Sequence, residues 1–242
     1  MKRVKIFFVA LAMMFSVGIS AQSEKPVVGV YLSGGGALGF AHIGALQALE
    51  DRGIYPDVIE GSSMGALVGA YYCSGYSPQE IKDIILEDKF YMKSKIFAVG
   101  GAQVKGASIY THKKVRDILT KDIHAETFEE LDKKFILTVS NLTDSRTEKR
   151  DSGDRLIDWL LASMSIPVVF EPVIIGGKVY MDGGSLNHFP TQYIRPYADV
   201  LIGIDVMPPK KEVKVDNIRD VLTAYIHSLA ISSGQKGREI CD

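Results

Sequence analysis

The serine at position 63 lies between two glycines in the pattern Gly61-Ser62-Ser63-Met64-Gly65. An apolar pair, Val58-Ile59, leads into this pattern, and small apolar residues follow it. A G-x-S-x-G pattern in this setting is typical of a nucleophile elbow, where a strand turns sharply into a helix and exposes a serine hydroxyl. The helix N-terminus then offers unpaired N–H groups and partial positive charge to a developing oxyanion. The pattern therefore predicts a nucleophilic serine, although small residues at such a turn can also simply pack well.

A cluster of glycines, Gly34, Gly35, Gly36 and Gly39, follows an apolar run over residues 27–32. Glycine N–H groups between a strand and a helix can stabilise the oxyanion of a tetrahedral intermediate. The same cluster also satisfies the dinucleotide pattern G-x-G-x-x-G, and Glu60 follows Gly39 by about 20 residues, where that fold has its ribose-binding acid. Both sites use the same backbone geometry, so the cluster leaves an oxyanion loop, a dinucleotide loop and a plain glycine turn open.

A candidate base for the serine is Asp182, which precedes Gly183 and Gly184 at the end of a predicted strand. An exposed carboxyl group with a pKa of about 3.9 is a poor base for a hydroxyl, but burial and a hydrogen bond to that hydroxyl would raise its basicity. An ordinary Asx turn beginning Asp-Gly is the alternative. Of the five histidines, only His188 is a strong rival, and it would make the site a Ser–His–Asp triad.

The composition is that of a globular protein of one large or two small domains. The chain has 242 residues, 46% hydrophobic and 24% charged, with a formal net charge of −1. This slightly acidic balance argues against nucleic acid as the main partner. Two cysteines do not indicate a disulfide framework, and no cofactor or metal is predicted. Predicted strands alternate with helices, which indicates an α/β protein with a largely parallel sheet, and the polar stretch 144–153 is predicted to be a turn.

The first 21 residues have the pattern of a cleaved signal peptide, and residues 22–242 are then one domain. A basic start without acidic residues precedes an apolar run, and small residues follow it: Gly18, Ser20 and Ala21. The apolar run is shorter than the ~20 residues of a spanning helix, although a membrane anchor or a buried helix is the alternative. The pattern predicts export, to the periplasm, the outer envelope or the medium.

Several motifs together resemble the bacterial patatin-like phospholipases. In chain order they are residues 33–44, residues 61–65, Ala162-Ser163 with Ile166-Pro167, Phe170-Glu171-Pro172, and Asp182-Gly183-Gly184. Their order and spacing match over residues 27–207. The resemblance implies a three-layer α/β/α fold with a mostly parallel central sheet, and a serine-type hydrolase that cleaves carboxylic esters of phospholipids or other acyl lipids through an acyl-enzyme.

The resemblance also implies a role for each motif residue. Ser63 would be the nucleophile and Asp182 the general base of a Ser–Asp dyad. The other implied site residues are the oxyanion-hole glycines Gly34, Gly35 and Gly36, and the motif glycines Gly39, Gly61, Gly65, Gly183 and Gly184. This chain has Leu38 where the family often has Arg or Lys, which leaves the backbone donors unaffected.

Two further points stay open. Relatives commonly continue beyond the helix predicted over residues 218–239, so the chain is either complete or a fragment of a longer protein. The helix and strand patterns break from Phe90 to Tyr110, where an apolar stretch over residues 90–97 begins the segment. This segment is either a lid or acyl-chain wall above the serine, or an irregular loop whose apolar groups pack on the core. Transient contact with a membrane surface is also expected. A catalytically weak lipid- or envelope-binding module of the same fold remains the alternative to an enzyme.

We predict that the exported protein is cleaved after Ala21 or within about two residues of it, because small residues precede that bond. N-terminal sequencing of the protein recovered outside the cytoplasm measures this directly. Replacing Ala21 with a bulky residue should block or displace the cleavage. Exported protein that still begins at Met1 would contradict the prediction.

Overall fold

The computed structural model describes residues 25–87, 98–99, 110–167 and 169–207. The predicted signal peptide, the apolar stretch 90–97 and the predicted final helix 218–239 lie outside these residues. Among the helices that are described, none is both long enough and apolar enough to cross a membrane.

A seven-stranded sheet forms the centre of the molecule. In chain order its strands are β1 Val28–Leu32, β2 Val58–Gly61, β5 Lys134–Asn141, β6 Arg146–Arg150, β7 Val173–Ile175, β8 Lys178–Asp182 and β9 Val200–Ile204. A separate two-stranded sheet pairs β3 Ala98–Val99 with β4 Tyr110–Thr111. The helices are α1 Ala41–Glu50, α2 Met64–Cys73, α3 Pro78–Glu87, α4 Lys113–Asp122 and α5 Leu156–Ser163, with 3₁₀ turns at Gly36–Phe40, Phe128–Glu130, Gly183–Ser185 and Arg195–Tyr197.

Four neighbouring strands of the sheet are parallel, in the order β5-β2-β1-β9. Strands β6 and β8 pair with β5 in the antiparallel sense, and β7 pairs with β8. β1 and β2 are buried along their whole length, which explains why they read as continuous apolar runs. The ends of β1 and β2 therefore place the glycine cluster and the serine motif at the same edge of the sheet.

The polar stretch that was predicted to be a turn contains β6, so that prediction was wrong. β6 is an entirely polar strand, Arg-Thr-Glu-Lys-Arg, and only partly buried. Its residues pair with the buried strand β5, from Leu137 opposite Arg150 to Asn141 opposite Arg146. Pairing with a buried neighbour overrides the weak strand propensity of its charged residues.

One face of the sheet is covered by α2 and α5. α2 is buried from Gly65 to Cys73 and packs on β1, β2 and β5, while α5 packs on β5 and β8. The opposite face carries a smaller apolar cluster of Val58, Ile136 and Ile194. There the ring of Phe189 meets the ring of Tyr31 edge-to-face, with centroids 4.4 Å apart. The loop after β8 thus folds back over the sheet face that α2 does not cover.

Glu60 lies opposite Tyr31 in the β1–β2 register and is fully buried. Neither of its carboxyl oxygens has a partner of full hydrogen-bond geometry among the described residues, and the nearby Ile194 backbone only partly offsets the effect of burial on its pKa. Burial raises the pKa of Glu60 well above its ordinary value of 4.5, because an ionised carboxylate loses its hydration in the interior. The folded protein therefore favours the protonated form of this side chain.

Glu60→Gln is expected to stabilise the protein more at pH 8 than at pH 5. The pKa of Glu60 is higher in the folded than in the unfolded chain, so its contribution to stability is full below the unfolded pKa and is lost as the pH rises toward the folded pKa. Glutamine stays neutral and avoids that loss. Urea unfolding at both pH values measures the difference, with the exposed Glu87→Gln as control. A variant that gains no stability relative to wild type between pH 5 and pH 8 would show that Glu60 ionises freely.

Candidate active site

Ser63 occupies the turn between β2 and α2 in a strained conformation, with φ 53° and ψ −121°. A non-glycine residue at positive φ is uncommon, and such strain concentrates at functional sites. The turn is closed by hydrogen bonds from the Gly65 amide to the Ser62 carbonyl at 2.8 Å and from the Leu67 amide to the Ser63 carbonyl at 3.1 Å. The structure therefore places Ser63 where the sequence predicts a nucleophile elbow.

The glycines around the elbow are required by close backbone contacts. A Cβ on Gly61 would lie 2.5 Å from the carbonyl oxygen of Gly65, and a Cβ on Gly65 would collide with the carbonyl oxygen of Leu32. A Cβ on Gly39 would collide with the side chain of Met64. These glycines let β1, the loop after it and the start of α2 approach one another around Ser63.

Ser163, at the end of α5, holds the backbone of the elbow from the side. Its buried hydroxyl accepts the Ser63 N–H at 3.0 Å and donates to the Thr138 carbonyl at 2.8 Å. The Ser63 amide is therefore already used. The sequence contained Ser163 only as part of a motif and gave no indication of this contact, which joins residues 100 positions apart.

Asp182 ends β8 and is fixed by its own backbone. Its amide donates to the Ser165 carbonyl at 3.0 Å, and its carbonyl accepts the Ser140 hydroxyl at 2.8 Å. The side-chain Oδ1 accepts the Gly184 amide at 2.8 Å. Two other segments thus fix the backbone of Asp182, and the turn that follows it orients one oxygen of its carboxyl group.

The Asp182 carboxyl is buried, and burial raises its pKa to about 6. Hydrogen bonding by the Ser63 hydroxyl and the Gly184 amide, and the charge of His188, act in the opposite direction and lower it. Oδ2 has no partner of full hydrogen-bond geometry among the described residues. The Ser63 hydroxyl is therefore near enough to influence the carboxyl but is not yet in an ideal hydrogen bond, which is common before substrate binds.

The glycine loop passes beside Ser63. A Cβ on Gly34 would lie 3.4 Å from the Ser63 Cβ, and Gly36 has a φ of +52°, which glycine adopts without strain. Within the described residues, none of the backbone hydrogen bonds uses the amides of Gly34, Gly35 or Gly36 as donors. These amides therefore have no backbone acceptor outside helices and strands in the described part of the chain.

The glycines after Asp182 serve the same packing. A Cβ on Gly183 would collide with the Thr138 carbonyl and lie 2.7 Å from the Ser62 hydroxyl, and a Cβ on Gly184 would lie 3.2 Å from Asp182 Oδ1.

Glu60, the candidate ribose-binding acid, is buried inside the sheet. A bound ribose could not reach this side chain, so Glu60 does not support a dinucleotide-binding site.

The described histidines do not hydrogen-bond Ser63 or Asp182. His188 Nε2 lies 3.2 Å from Asp205 Oδ1. His42 Nε2 lies 2.8 Å from the Ser33 carbonyl, and His112 Nε2 lies 2.9 Å from the Glu171 carbonyl. His124 is exposed, and His227 is outside the described residues. The same part of the chain contains no cluster of three or more His, Cys, Asp or Glu side chains that could hold a metal ion.

These features define an α/β protein with a serine at a strand–helix elbow and a buried carboxyl group beside it. The family model for patatin-like phospholipases matches residues 30–194. The chain therefore belongs to the patatin-like phospholipase family.

Individual relatives agree with this assignment. Lysophospholipase nte1 of Aspergillus fumigatus is 30% identical over 189 residues, which are 74% of this chain and 12% of that protein. The chain thus spans about an eighth of the length of this relative. The uncharacterized protein R571 of Acanthamoeba polyphaga mimivirus is 30% identical over 196 residues, 75% of this chain and 66% of that protein.

A solved structure shows the same fold. VipD from Legionella pneumophila superimposes with a TM-score of 0.53 at 18% sequence identity, over 79% of this chain and 49% of that chain. The predicted three-layer α/β/α fold with a mostly parallel central sheet is confirmed.

Ser163→Ala is expected to lower the free energy of unfolding by about 1–3 kcal/mol, because it leaves the buried Ser63 amide and Thr138 carbonyl without partners. Urea unfolding measures the change. Ser74→Ala serves as the matched control, since the Ser74 hydroxyl only donates to the Ala70 carbonyl one turn earlier and should matter much less. Equal, small losses in the two variants would mean that the contact of Ser163 with the elbow contributes little.

Proposed function

We propose that this protein is a serine-type lipid acyl hydrolase that cleaves carboxylic ester bonds of phospholipids or other acyl lipids. Membership of the patatin-like phospholipase family, and relatives named lysophospholipase, support the reaction class. The observation that carries the proposal is the juxtaposition of Ser63 in a strained elbow with the buried carboxyl of Asp182, whose pKa is raised to about 6.

In the first half-reaction, ionised Asp182 accepts the proton of the Ser63 hydroxyl while Oγ attacks the ester carbonyl carbon. A carboxyl with a pKa of about 6 is mostly ionised at neutral pH and is a better base than an exposed one. The tetrahedral intermediate collapses, the bond to the leaving alcohol breaks, and Asp182 returns its proton to the alcohol oxygen. The acyl group remains on Ser63 as an ester.

In the second half-reaction, Asp182 accepts a proton from water, whose oxygen attacks the acyl carbonyl carbon. The bond to Ser63 Oγ breaks, Oγ takes the proton back, and the fatty acid leaves. In both steps the amides of Gly34, Gly35 and Gly36 stabilise the oxyanion, together with the Met64 amide at the start of α2. Of the three glycines, Gly34 adjoins Ser63. The Ser63 amide is not a donor in this scheme, since Ser163 accepts its hydrogen bond.

The surroundings of the site suit an aggregated lipid substrate. Leu38, directly after the glycine loop, has 52% of its surface exposed, and Leu86 on α3 has 51%. We also propose that the protein is exported and acts at a bacterial envelope with transient contact to a membrane surface. The signal-like pattern of the first 21 residues supports export.

One observation favours the second candidate, a weakly catalytic lipid-binding module. Asp182 Oδ2 has no partner of full hydrogen-bond geometry among the described residues, so proton transfer from Ser63 requires a small adjustment of either side chain. Turnover of a soluble chromogenic acyl ester distinguishes the two, because a binding module would retain lipid vesicles but release no product.

Ser63→Ala and Asp182→Asn are each expected to lower turnover of a soluble acyl ester by about 10³-fold or more, and the double variant should be little worse, because the two groups act as one unit. For the wild type, kcat/KM should rise with pH through about 6, since Asp182 must lose its proton to act as base. Unfolding curves establish that each variant is folded. Clearly additive losses, or a pH profile that is flat around pH 6, would contradict the dyad.

His188→Ala should retain substantial turnover, because its ring nitrogen Nε2 faces Asp205 and not the dyad. His188→Gln provides a second variant with a hydrogen-bonding side chain. A loss as deep as that of Ser63→Ala in both variants would replace the dyad with a triad.

A further inference from the structure

An apolar groove lies between helices α1 and α3. Its cavity volume is about 540 Å³, which is within the range of pockets that hold small organic ligands. The described residues that line it are Phe40, Ile43, Gly44 and Gln47 on the side of α1, and Pro78, Gln79, Lys82, Ile85 and Leu86 on the side of α3. These positions follow the helical repeat, so each helix presents one face along the groove.

One end of the groove adjoins the proposed active site. Phe40 directly follows Gly39 of the glycine loop, and a Cβ on Gly39 would collide with the side chain of Met64, the residue after Ser63. Phe40 and Met64 both pack against the main apolar core. The half-exposed Leu38 precedes Gly39 at the same end. An apolar chain that extends from Ser63 past these side chains therefore reaches the groove.

The other end of the groove points away from the active site. α1 starts directly after the glycine loop, and its last residue, Glu50, accepts the Tyr72 hydroxyl at 2.9 Å near the end of α2. The carbonyl of Cys73, the last residue of α2, accepts the Asp132 amide at 2.8 Å, just before β5 begins. α1 therefore runs from the active-site edge of the sheet to the opposite edge. The groove follows this helix for about 10 Å, the rise of two helical turns.

The polar side chains that line the groove do not offer hydrogen bonds to its interior. The Gln47 amide donates to Asp51 Oδ1 at 2.9 Å, and the Gln79 amide donates to Asp83 Oδ1 at 2.8 Å, each on its own side of the groove. Lys82 is exposed, and a lysine can line apolar surface with its methylene groups while its ammonium stays in water. The groove therefore suits an alkyl chain better than a polar ligand.

Gly44 keeps the middle of the groove open. Glycine is unfavourable inside a helix relative to alanine. Among the described residues, a Cβ on Gly44 would have no heavy atom within 4 Å apart from its chain neighbours and the backbone of its own helix. Close packing thus does not require glycine here, in contrast to Gly39 and Gly65, where a Cβ would collide with other residues. The missing side chain leaves space in the groove instead.

We propose that this groove binds the acyl chain of the lipid substrate, and that Gly44 is a specificity-determining residue because it leaves room for a long chain. The chain enters beside Leu38 and Phe40 and lies over Gly44. This inference rests on the proposed hydrolase function for its kinetic consequences, whereas binding of a free fatty acid to the groove does not depend on that function.

The groove implies a preference for long acyl chains. Each methylene group that leaves water for an apolar groove contributes a favourable transfer free energy. Binding energy from a part of the substrate remote from the ester can be used to raise kcat/KM. A short acyl chain does not extend into the groove and gains none of this energy.

The first experiment measures binding without turnover. Parinaric acid, a long-chain fatty acid with intrinsic fluorescence, is titrated into wild type and Gly44→Leu. The variant should bind at least about tenfold more weakly, a loss of about 1.4 kcal/mol, because the leucine occupies the groove. Thr120→Leu adds a leucine at an exposed position of α4 outside the groove and should bind like the wild type. A wild type that does not bind parinaric acid, or a Gly44→Leu variant that binds it equally well, would overturn the proposal.

A variant of the opposite wall guards against a folding defect. Gly44→Leu should be at least as stable in urea as the wild type, because leucine is the better helix former and meets no described neighbour at its Cβ. Leu86→Ser removes an apolar side chain that is 51% exposed, so the fold should tolerate it. This variant should weaken parinaric acid binding by about two- to fivefold. Unchanged binding in folded Leu86→Ser would contradict the assignment of this wall.

The second experiment measures chain-length preference with p-nitrophenyl dodecanoate and p-nitrophenyl butanoate. The ratio of kcat/KM for dodecanoate to kcat/KM for butanoate should fall by about tenfold in Gly44→Leu and stay at the wild-type value in Thr120→Leu. An unchanged ratio in Gly44→Leu would overturn the proposal. A wild type that neither hydrolyses esters nor reacts with a fluorophosphonate would refute the proposed function alone, and the parinaric acid titration would still decide whether the groove binds an acyl chain.

Discussion

The buried carboxyl group of Asp182 is the constraint on which the other features of this site depend. Such a group is unfavourable in the interior unless its surroundings compensate for lost hydration. Here Ser140, Ser165 and Gly184 fix its backbone and one of its oxygens. The other oxygen has no partner of full hydrogen-bond geometry among the described residues, and burial raises the pKa of the carboxyl group to about 6. Placing this carboxyl group and raising its pKa are therefore the same structural problem, and the end of β8 meets both demands.

The site also requires close packing between the backbones of its three loops. The elbow, the glycine loop and the Asp182 turn approach one another only because glycine stands at each point of contact, most clearly at Gly65 and Gly183. Ser163 then ties α5 to the elbow through a single hydroxyl. The sheet thus brings together loops that are far apart in sequence, and small residues allow the backbones of these loops to touch.

Local patterns predicted the parts of the fold and site that depend on neighbours in sequence. The elbow at Ser63 and the buried strands followed from short motifs, and the structure has them. Contacts across the sheet were not predictable, because a serine such as Ser163 has many ordinary uses and its partner lies 100 residues away. Predictions from charged residue types also fail where the tertiary structure buries those residues. The polar strand β6 was predicted to be a turn, and the position of Glu60 kept a dinucleotide site open although this side chain is enclosed.

The positive φ of Ser63 also lowers the stability of the folded protein. A serine at φ 53° and ψ −121° costs of the order of 1–3 kcal/mol, which the surrounding packing must supply. Glycine would adopt these angles at little cost, so a variant with glycine at position 63 should be the more stable molecule. The serine therefore keeps the protein less stable than it would be with glycine at this position. Selection for stability alone would favour replacing the serine.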